Sequence, residues 1–519
     1  MRPAIARWDG AQFVIGVVLL IATWEIVYYA MGGGSVILPA PSRIFAQMFA
    51  DRELYYLHGL STIGSASAGF AIGCVIAVLA ALLFALEPGL ETVFRGLNIV
   101  LFAMPAIVVG PLLVLLFSGN WPQIILASIM VYYPAMSATL LGLKDVDPRL
   151  KDVASVYGGR RGTLMRYVRL RGALPSLFAG LRTAAPLAVL GAILGEFGSG
   201  TQWGFGSFLL SALPQANPAR LWGIGLASSA IALAGYSLFL IPARWLAATT
   251  SAVTLAAPRP VVAEAGNWQA RLRHALVIMA AIAFPFFLWW LALELTQLSP
   301  IIAPGPLRVL DYLTTASQAP EARAALTQAL SETVPIAVLG LLAGLAFAFV
   351  LAALSILAPA LSRALLPIAM VAQNMPLVAM VPLVLLVFGR GVVASIFMAV
   401  LVVFFPAFVM LSQGFSMVPR AASDLVSVYG GGRMKRLRLV AVPHAMPYLF
   451  AAAKLVAPQA LLGVMVAEWL LTGIGLGNLL NVSRGMLNYD MIWAGALVSI
   501  FISIAAFQGV VLLERLQRR

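Results

Sequence analysis

The sequence predicts an all-α, polytopic membrane protein of about 12 transmembrane helices, arranged as two parallel six-helix repeats. Three observations carry this. Hydrophobic residues make up 62% of the 519 and charged residues only 10%, against the roughly 25% charged residues of a soluble domain. Apolar runs recur from end to end, each near the ~20 residues that carry a helix across a bilayer core, where every backbone polar group needs an internal partner. Finally, a polar, basic stretch is written twice: DVASVYGGRRGTLMRYVRL at 152–170 and DLVSVYGGGRMKRLRLVAV at 424–442 share nine of nineteen positions at an offset of 272.

Taken in order, the apolar runs place spans near 13–31, 61–86, 96–118, 122–143, 174–197 and 220–242 in a first unit, residues 1–242. A second unit, 276–519, has spans near 276–297, 332–358, 364–388, 391–412, 445–471 and 492–513. The first run follows the basic flank MRPAIARWDG, is too long for a signal h-region and has no A-x-A-like cleavage site, so it reads as a retained span. Between the units, residues 243–275 are rich in Ala and Pro and read as a cytoplasmic tether.

The duplication reaches beyond the polar stretch. Pro39 and Pro41 fall on Pro304 and Pro306, and MPAIVVGPLLVLLF at 104–117 matches MPLVAMVPLVLLVF at 375–388. Further along, Pro134, Pro175, Pro186 and Glu196 match Pro406, Pro447, Pro458 and Glu468. The whole six-span unit was copied. Eight basic residues against three acids lie between Lys144 and Arg171, and five against Asp424 alone between Arg420 and Arg438, which places both polar stretches on the cytoplasmic side. The basic amino terminus, the tether and the carboxyl-terminal ERLQRR then fall inside as well. An even number of spans per unit makes the repeat parallel.

Within each loop, 144–171 and 413–443, an acid opens a run of small and apolar residues that ends at Gly-Gly and is followed by a basic helix. Asp152 suits the start of a short helix, Ala154 and Ser155 permit close approach by another protein, and Gly158 with Gly159 stops it. A freely drifting loop has no reason to keep Asp-x-x-Ser-Val-Tyr-Gly-Gly twice. Docking is therefore assigned to Asp152, Ala154, Ser155, Tyr157 and Gly158, and to Asp424, Ser427, Tyr429, Gly430 and Pro443. The neighbouring arginines suit anionic lipid headgroups or a partner's acids.

Other polar residues mark a path. Glu196 and Glu468 recur at the outer end of the fifth span, either as parts of an external gate or as acids packed on backbone donors. Arg182 and Lys454 correspond about two turns inside that span's inner end, where they snorkel or line the inward mouth. Pro105 and Pro376 loosen the third span of each unit. His58, His274 and His444 read as an outer loop, an inner loop and a span edge, without metal-ligand spacing. Lone Cys74 reads as a packing residue, and no catalytic set can be assembled. Four lysines, none followed by Ser or Thr, exclude a G-x-x-x-x-G-K-[ST] phosphate loop. The basic residues sit between apolar segments, which suits membrane topology and not nucleic acid.

The duplicated loop resembles that of the membrane permeases of bacterial ABC importers, with the pattern E-A-A, three residues, G, nine residues, I-x-L-P. Asp424, Leu425 and Val426 take the E-A-A places, Gly430 the glycine, and Val440 to Pro443 the closing four. In the first copy Asp152, Val153 and Ala154 are followed by Gly158 and then Val168 to Leu170, with Arg171 in place of the proline. The texture around it, YLFAAAKLVAP and LFAGLRTAAP followed by GFG or GLG, is similar to the nitrate, sulfonate, taurine and thiamine-precursor branch. The resemblance implies the type I importer permease fold, a coupling helix seated in an ATPase subunit, two such ATPases carrying the ATP and Mg, and a periplasmic or lipid-anchored substrate-binding protein outside. It implies no cofactor in this chain. An ion-coupled secondary transporter with six plus six spans is the alternative, and would be expected to carry more intramembrane charge.

Overall fold

The computed structural model describes residues 10–30, 32, 39–145, 156–158, 161–215, 217–239, 242, 268–357 and 377–517. Among them every regular element is helical. The first unit runs α1 (Gly10–Ala30), α2 (Pro41–Ala50), α3 (Arg52–Leu86), α4 (Pro88–Ala103), α5 (Ala106–Leu116), α6 (Trp121–Lys144), α7 (Leu170–Ser199), α8 (Phe205–Ala212) and α9 (Pro218–Leu238). In the second unit, α10 (Trp268–Thr296), α11 (Pro306–Thr314), α12 (Ala319–Leu357), α13 (Leu377–Phe388), α14 (Val392–Ser416), α15 (Arg420–Val428), α16 (Val442–Ala467), α17 (Gly475–Gly485) and α18 (Tyr489–Gln517) follow. Eight described helices, counting the turns continuous with α7 and α16, are long and apolar enough to cross a membrane, and a bent pair would make nine.

That bent pair lies in the span expected at 96–118, where Pro105 is expected to loosen the helix, and it is a full break. α4 and α5 meet at 99° across Met104 and Pro105. Proline lacks an N–H and pushes the preceding residue out of the α region; Met104 is accordingly extended (φ −68°, ψ 120°) and Pro105 caps α5. Pro105 therefore ends a helix instead of loosening one, while Pro376 lies outside the described residues. Helices α3 and α12 also begin earlier than hydropathy suggested, at Arg52 and Ala319, because their outer turns carry charge. α10 likewise starts at Trp268, inside the expected tether.

Glycines let the spans approach closely. In the first unit Gly69 and Gly73 of α3, and Gly191 and Gly195 of α7, lie against Gln123, Ala127, Ser128 and Val131 of α6. The second unit repeats this with Gly340 and Gly344 of α12 and Gly463 of α16, against Ala399 and Val403 of α14. Small residues spaced four apart permit such contact where van der Waals packing, and not water, drives association. Ser128 Oγ also donates to the Gly69 carbonyl at 3.0 Å.

The units meet through their third spans. α4 packs on α10 and α18, and α5 on α16, α17 and α18. Reciprocally, α13 packs on α7, α8 and α9. One apolar core, including Val109, Leu113, Val381, Val384, Leu462 and Met465, runs across this junction.

Candidate functional site

The second of the two duplicated polar loops, 413–443, lies wholly within the described residues. α15 starts at Arg420 after Pro419 and stops at Gly430, whose φ of +72° terminates the helix in the left-handed region. Asp424 is thus the fifth residue, beyond the first turn, so the helix-dipole role expected for the acid does not hold in this copy. Ser427 Oγ bonds back to the Ser423 carbonyl at 3.0 Å. In the first copy Gly158 has φ +71°, whereas Asp152, Ala154 and Ser155 lie outside the described residues.

The two copies present the same apolar pair. Val156 and Tyr157 are 83% and 87% exposed, and Val428 and Tyr429 are each 83% exposed. The same two residue types are thus exposed at the same place in both loops.

After each Gly-Gly break a helical turn (Arg161–Leu164, Arg433–Arg436) passes into a π turn (Met165–Arg169, Leu437–Ala441) that continues into α7 or α16. The π turn forms in both copies although Arg171 stands where Pro443 stands, so this shape does not depend on the proline. Each loop also closes the end of the second span of its unit: Arg169 Nη1 donates to the Ala85 carbonyl and Arg433 Nη1 to that of Leu357, both at 3.2 Å. Lys144, at the start of the first loop, pairs with Glu91 of α4 at 2.5 Å and so ties the loop to the broken span.

At the opposite end, Glu196 and Glu468 are buried, 1% and 0% exposed. Glu196 accepts from Thr62 Oγ1 and from the Gly206 amide, both at 2.7 Å. Glu468 does the same with Thr333 Oγ1 at 2.7 Å and the Gly477 amide at 2.8 Å. Each threonine in turn accepts an amide, from Phe205 at 2.9 Å and Leu476 at 2.8 Å. A third amide is held differently: Gly204 donates to His58 Nδ1 at 2.9 Å, and Gly475 to Glu332 Oε2 at 2.6 Å. In both copies, then, the acid is packed on amide and hydroxyl donors at the start of a short helix. His58 sits buried in α3, stacked on Phe208, and not in an outer loop. Sequence reasoning missed Thr62 and Thr333, whose signal was their recurrence at an offset of 271, shared with Gly206 and Gly477.

Arg182 and Lys454 both turn to the last helix of their unit. The Arg182 guanidinium lies 5.0 Å from the Tyr236 ring centroid, and Lys454 pairs with Glu514 at 2.8 Å. The outer helices are tied by ion pairs of reversed polarity: Asp51 to Arg220 at 2.7 Å, and Arg308 to Asp490 at 3.2 Å. Burial pushes the Asp51 carboxyl up, but hydrogen bonds from Arg220 and Gln47, with the Arg220 charge, outweigh it and hold the pKa below the ordinary 3.8. Glu25 accepts from the Ser42 amide at 3.0 Å and caps α2. Among the described residues no group of three or more His, Cys, Asp or Glu could hold a metal.

Residues 69–251 and 340–519 each match the family of binding-protein-dependent transport system inner membrane components, which covers more than half of the sequence. The chain belongs to that family. It is 29% identical over 200 residues to a probable ABC transporter permease protein of Haemophilus influenzae, a stretch covering 38% of this chain and 80% of the relative. A formylaminopyrimidine transport permease protein of Halalkalibacterium halodurans is 29% identical over 37% of this chain and 76% of its own length. A taurine transport system permease protein of Escherichia coli is 27% identical over 48% and 89%. No solved structure matches. Each relative is spent on less than half of this permease, as two units in one chain require. The protein is thus a multi-pass permease subunit of an ABC importer, acts with ATPase and substrate-binding partners, and is not itself the enzyme that hydrolyses ATP. The secondary-transporter alternative falls with that assignment.

Proposed function

We propose that this one permease chain forms the complete membrane core of the importer: residues 1–242 and 276–519 enclose the solute path between them, joined by the tether 243–275. One ATPase subunit docks on loop 144–171 and a second on loop 413–443, carrying the ATP and Mg. The observation that supports this most is the duplicated exposed pair, Val156–Tyr157 and Val428–Tyr429. Asp152, Ala154, Ser155 and Gly158 complete the first dock, and Asp424, Ser427, Gly430 and Pro443 the second. ATP binding draws the two ATPases together, each loop follows, and the helices rooted in it, α7 and α16, move against α13 and α5.

The chain lies in a bacterial cytoplasmic membrane with both termini inside, and its outer segments meet a periplasmic or lipid-anchored binding protein. That partner selects the solute, of the kind named for the relatives, such as taurine, formylaminopyrimidine or an aliphatic sulfonate, or of the nitrate or thiamine-precursor kind that the resemblance implies. Arg182 and Lys454 border the inward mouth, and Pro105 and Pro376 mark the third span of each unit along the path. Gentle solubilisation of the tagged chain and stoichiometric analysis of what co-purifies tests the reading. Two P-loop ATPase copies per chain are expected. A chain that purifies alone, yet transports in proteoliposomes under an ion gradient without ATP, overturns it.

A further inference from the structure

α8 and α17 are short outer helices, and each reaches across the junction: α8 touches α13 and α17 touches α5. Each is packed mainly on its own unit, α8 on α3, α7 and α9, and α17 on α12, α16 and α18. α7 ends at Gly200 with φ +61°, and Gly204 follows with φ +143° before α8. Before α17 the same pair is Gly473 at +70° and Gly475 at +81°. Glycine alone adopts such angles freely, so each short helix is entered through two glycine turns.

Three successive amides at the start of each short helix, those of Gly204 to Gly206 and of Gly475 to Gly477, would be orphans in a medium without water. In the first unit His58, Thr62 and Glu196 take them, and in the second Glu332, Thr333 and Glu468. A Cβ at Gly204 or Gly475 would collide with the glutamate carboxylate, so the fit is tight. Two short helices, each touching the opposite third span and each fixed at its start by one set of acceptors, are placed to open and close the outer end of the junction.

We propose that α8 and α17 are the two leaves of the outer gate, and that Thr62 with Glu196, and Thr333 with Glu468, are the positioning residues that hold each leaf shut. This rests on the path lying between the units and is independent of the ATPase stoichiometry. Opening a leaf breaks the carboxylate and hydroxyl bonds together, so the closed state is set by the clamp and not by helix packing alone. The two leaves differ, since the second is held by two carboxylates, Glu332 and Glu468, and the first by one carboxylate and a histidine.

The chain's single cysteine makes the test direct. In a Cys74→Ser background, in cells expressing the complete importer, Leu209→Cys reports on α8 and Leu480→Cys on α17, both positions being buried. Tyr56→Cys, at an exposed outer position, serves as control for sidedness. With a membrane-impermeant maleimide, Thr62→Val is expected to speed labelling of L209C about thirty-fold, as loss of its two hydrogen bonds at about 1 kcal/mol each implies. Thr62→Ser, which keeps the hydroxyl, leaves it within about two-fold, and L480C stays unchanged. Thr333→Val reverses the pattern and supplies the same test should Thr62→Val fail to insert. Equal labelling of L209C with Thr, Ser and Val at position 62, beside a reactive Y56C, overturns the gate while leaving the path reading standing. An unreactive Y56C overturns both.

Discussion

Truncating the exposed valines, Val156→Ser and Val428→Ser, gives the sharpest test of two separate docks. Each valine is 83% exposed in the isolated chain. Burying a whole valine side chain is worth roughly 1.5 to 2 kcal/mol, so the area left for an ATPase to cover is worth about 1.5 kcal/mol, or about ten-fold in affinity. Serine has a helix propensity close to that of valine and a smaller volume, so α15 persists. Titrating purified ATPase subunit onto the chain in nanodiscs reads the effect. Val428→Ser should leave one site at wild-type affinity and weaken the other about ten-fold, and Val156→Ser should do the same for the opposite site. With both changes the two sites weaken together, since the positions belong to different loops and their costs add. A double variant within about two-fold of wild type would refute the assignment of these residues to docking. A uniform shift of the whole isotherm by a single variant would refute the one-site-per-loop geometry.

Three further outcomes follow from the same structure. Replacing Gly158 and Gly430 by Val forces a β-branched residue to φ near +72°, at a cost of about 1 to 2 kcal/mol per site; membrane insertion and ATP hydrolysis should survive while uptake falls at least ~10-fold, and unchanged uptake counts against the coupling role. Gly73→Val drives a Cβ to within 2.7 Å of the Ser128 carbonyl, and Gly344→Val drives one to 2.6 Å from Val403. Either should lower the thermal aggregation midpoint in detergent, overpacking costing about 1 to 3 kcal/mol, whereas an unmoved midpoint would mean that α3 and α12 can withdraw freely. The Asp51 carboxyl titrates below its ordinary 3.8 in the folded chain, so its contribution is present above about pH 4 and is lost as pH falls through the folded value. The stability gap between wild type and Asp51→Asn should be flat from about pH 7 to 5 and close in stronger acid; a gap that widens there reverses the sign and sinks the argument.

The elements that could be read in the sequence are those written by a single local rule. Spans follow from apolar runs of sufficient length, and α14, expected over 391–412, runs Val392–Ser416. The end of α15 follows from Gly430, because a residue with φ +72° stops a helix whatever lies around it. Boundaries set by charge were lost: α3 and α12 continue outward past the hydrocarbon, where hydropathy no longer distinguishes a helix from a loop. So was the size of the 99° break at Pro105, since a proline marks where a helix is weakened but not how far the chain then turns.

The outer clamps show why long-range contacts stay hidden even when their residues are visible. Glu196 was singled out by its repetition, but Thr62 lies 134 positions away and nothing in an isolated STIG marks it as a partner. The duplication is what makes the contact decipherable. A pair that drifts independently would lose either the spacing or the chemistry in one copy, yet Thr62, Glu196 and Gly206 reappear as Thr333, Glu468 and Gly477 with the same three bonds. Where the copies disagree, the difference is itself informative. His58 gives way to Glu332, and the Asp51–Arg220 pair to its reverse, Arg308–Asp490, so the outer face of this fused chain lacks the two-fold symmetry that two identical units would impose.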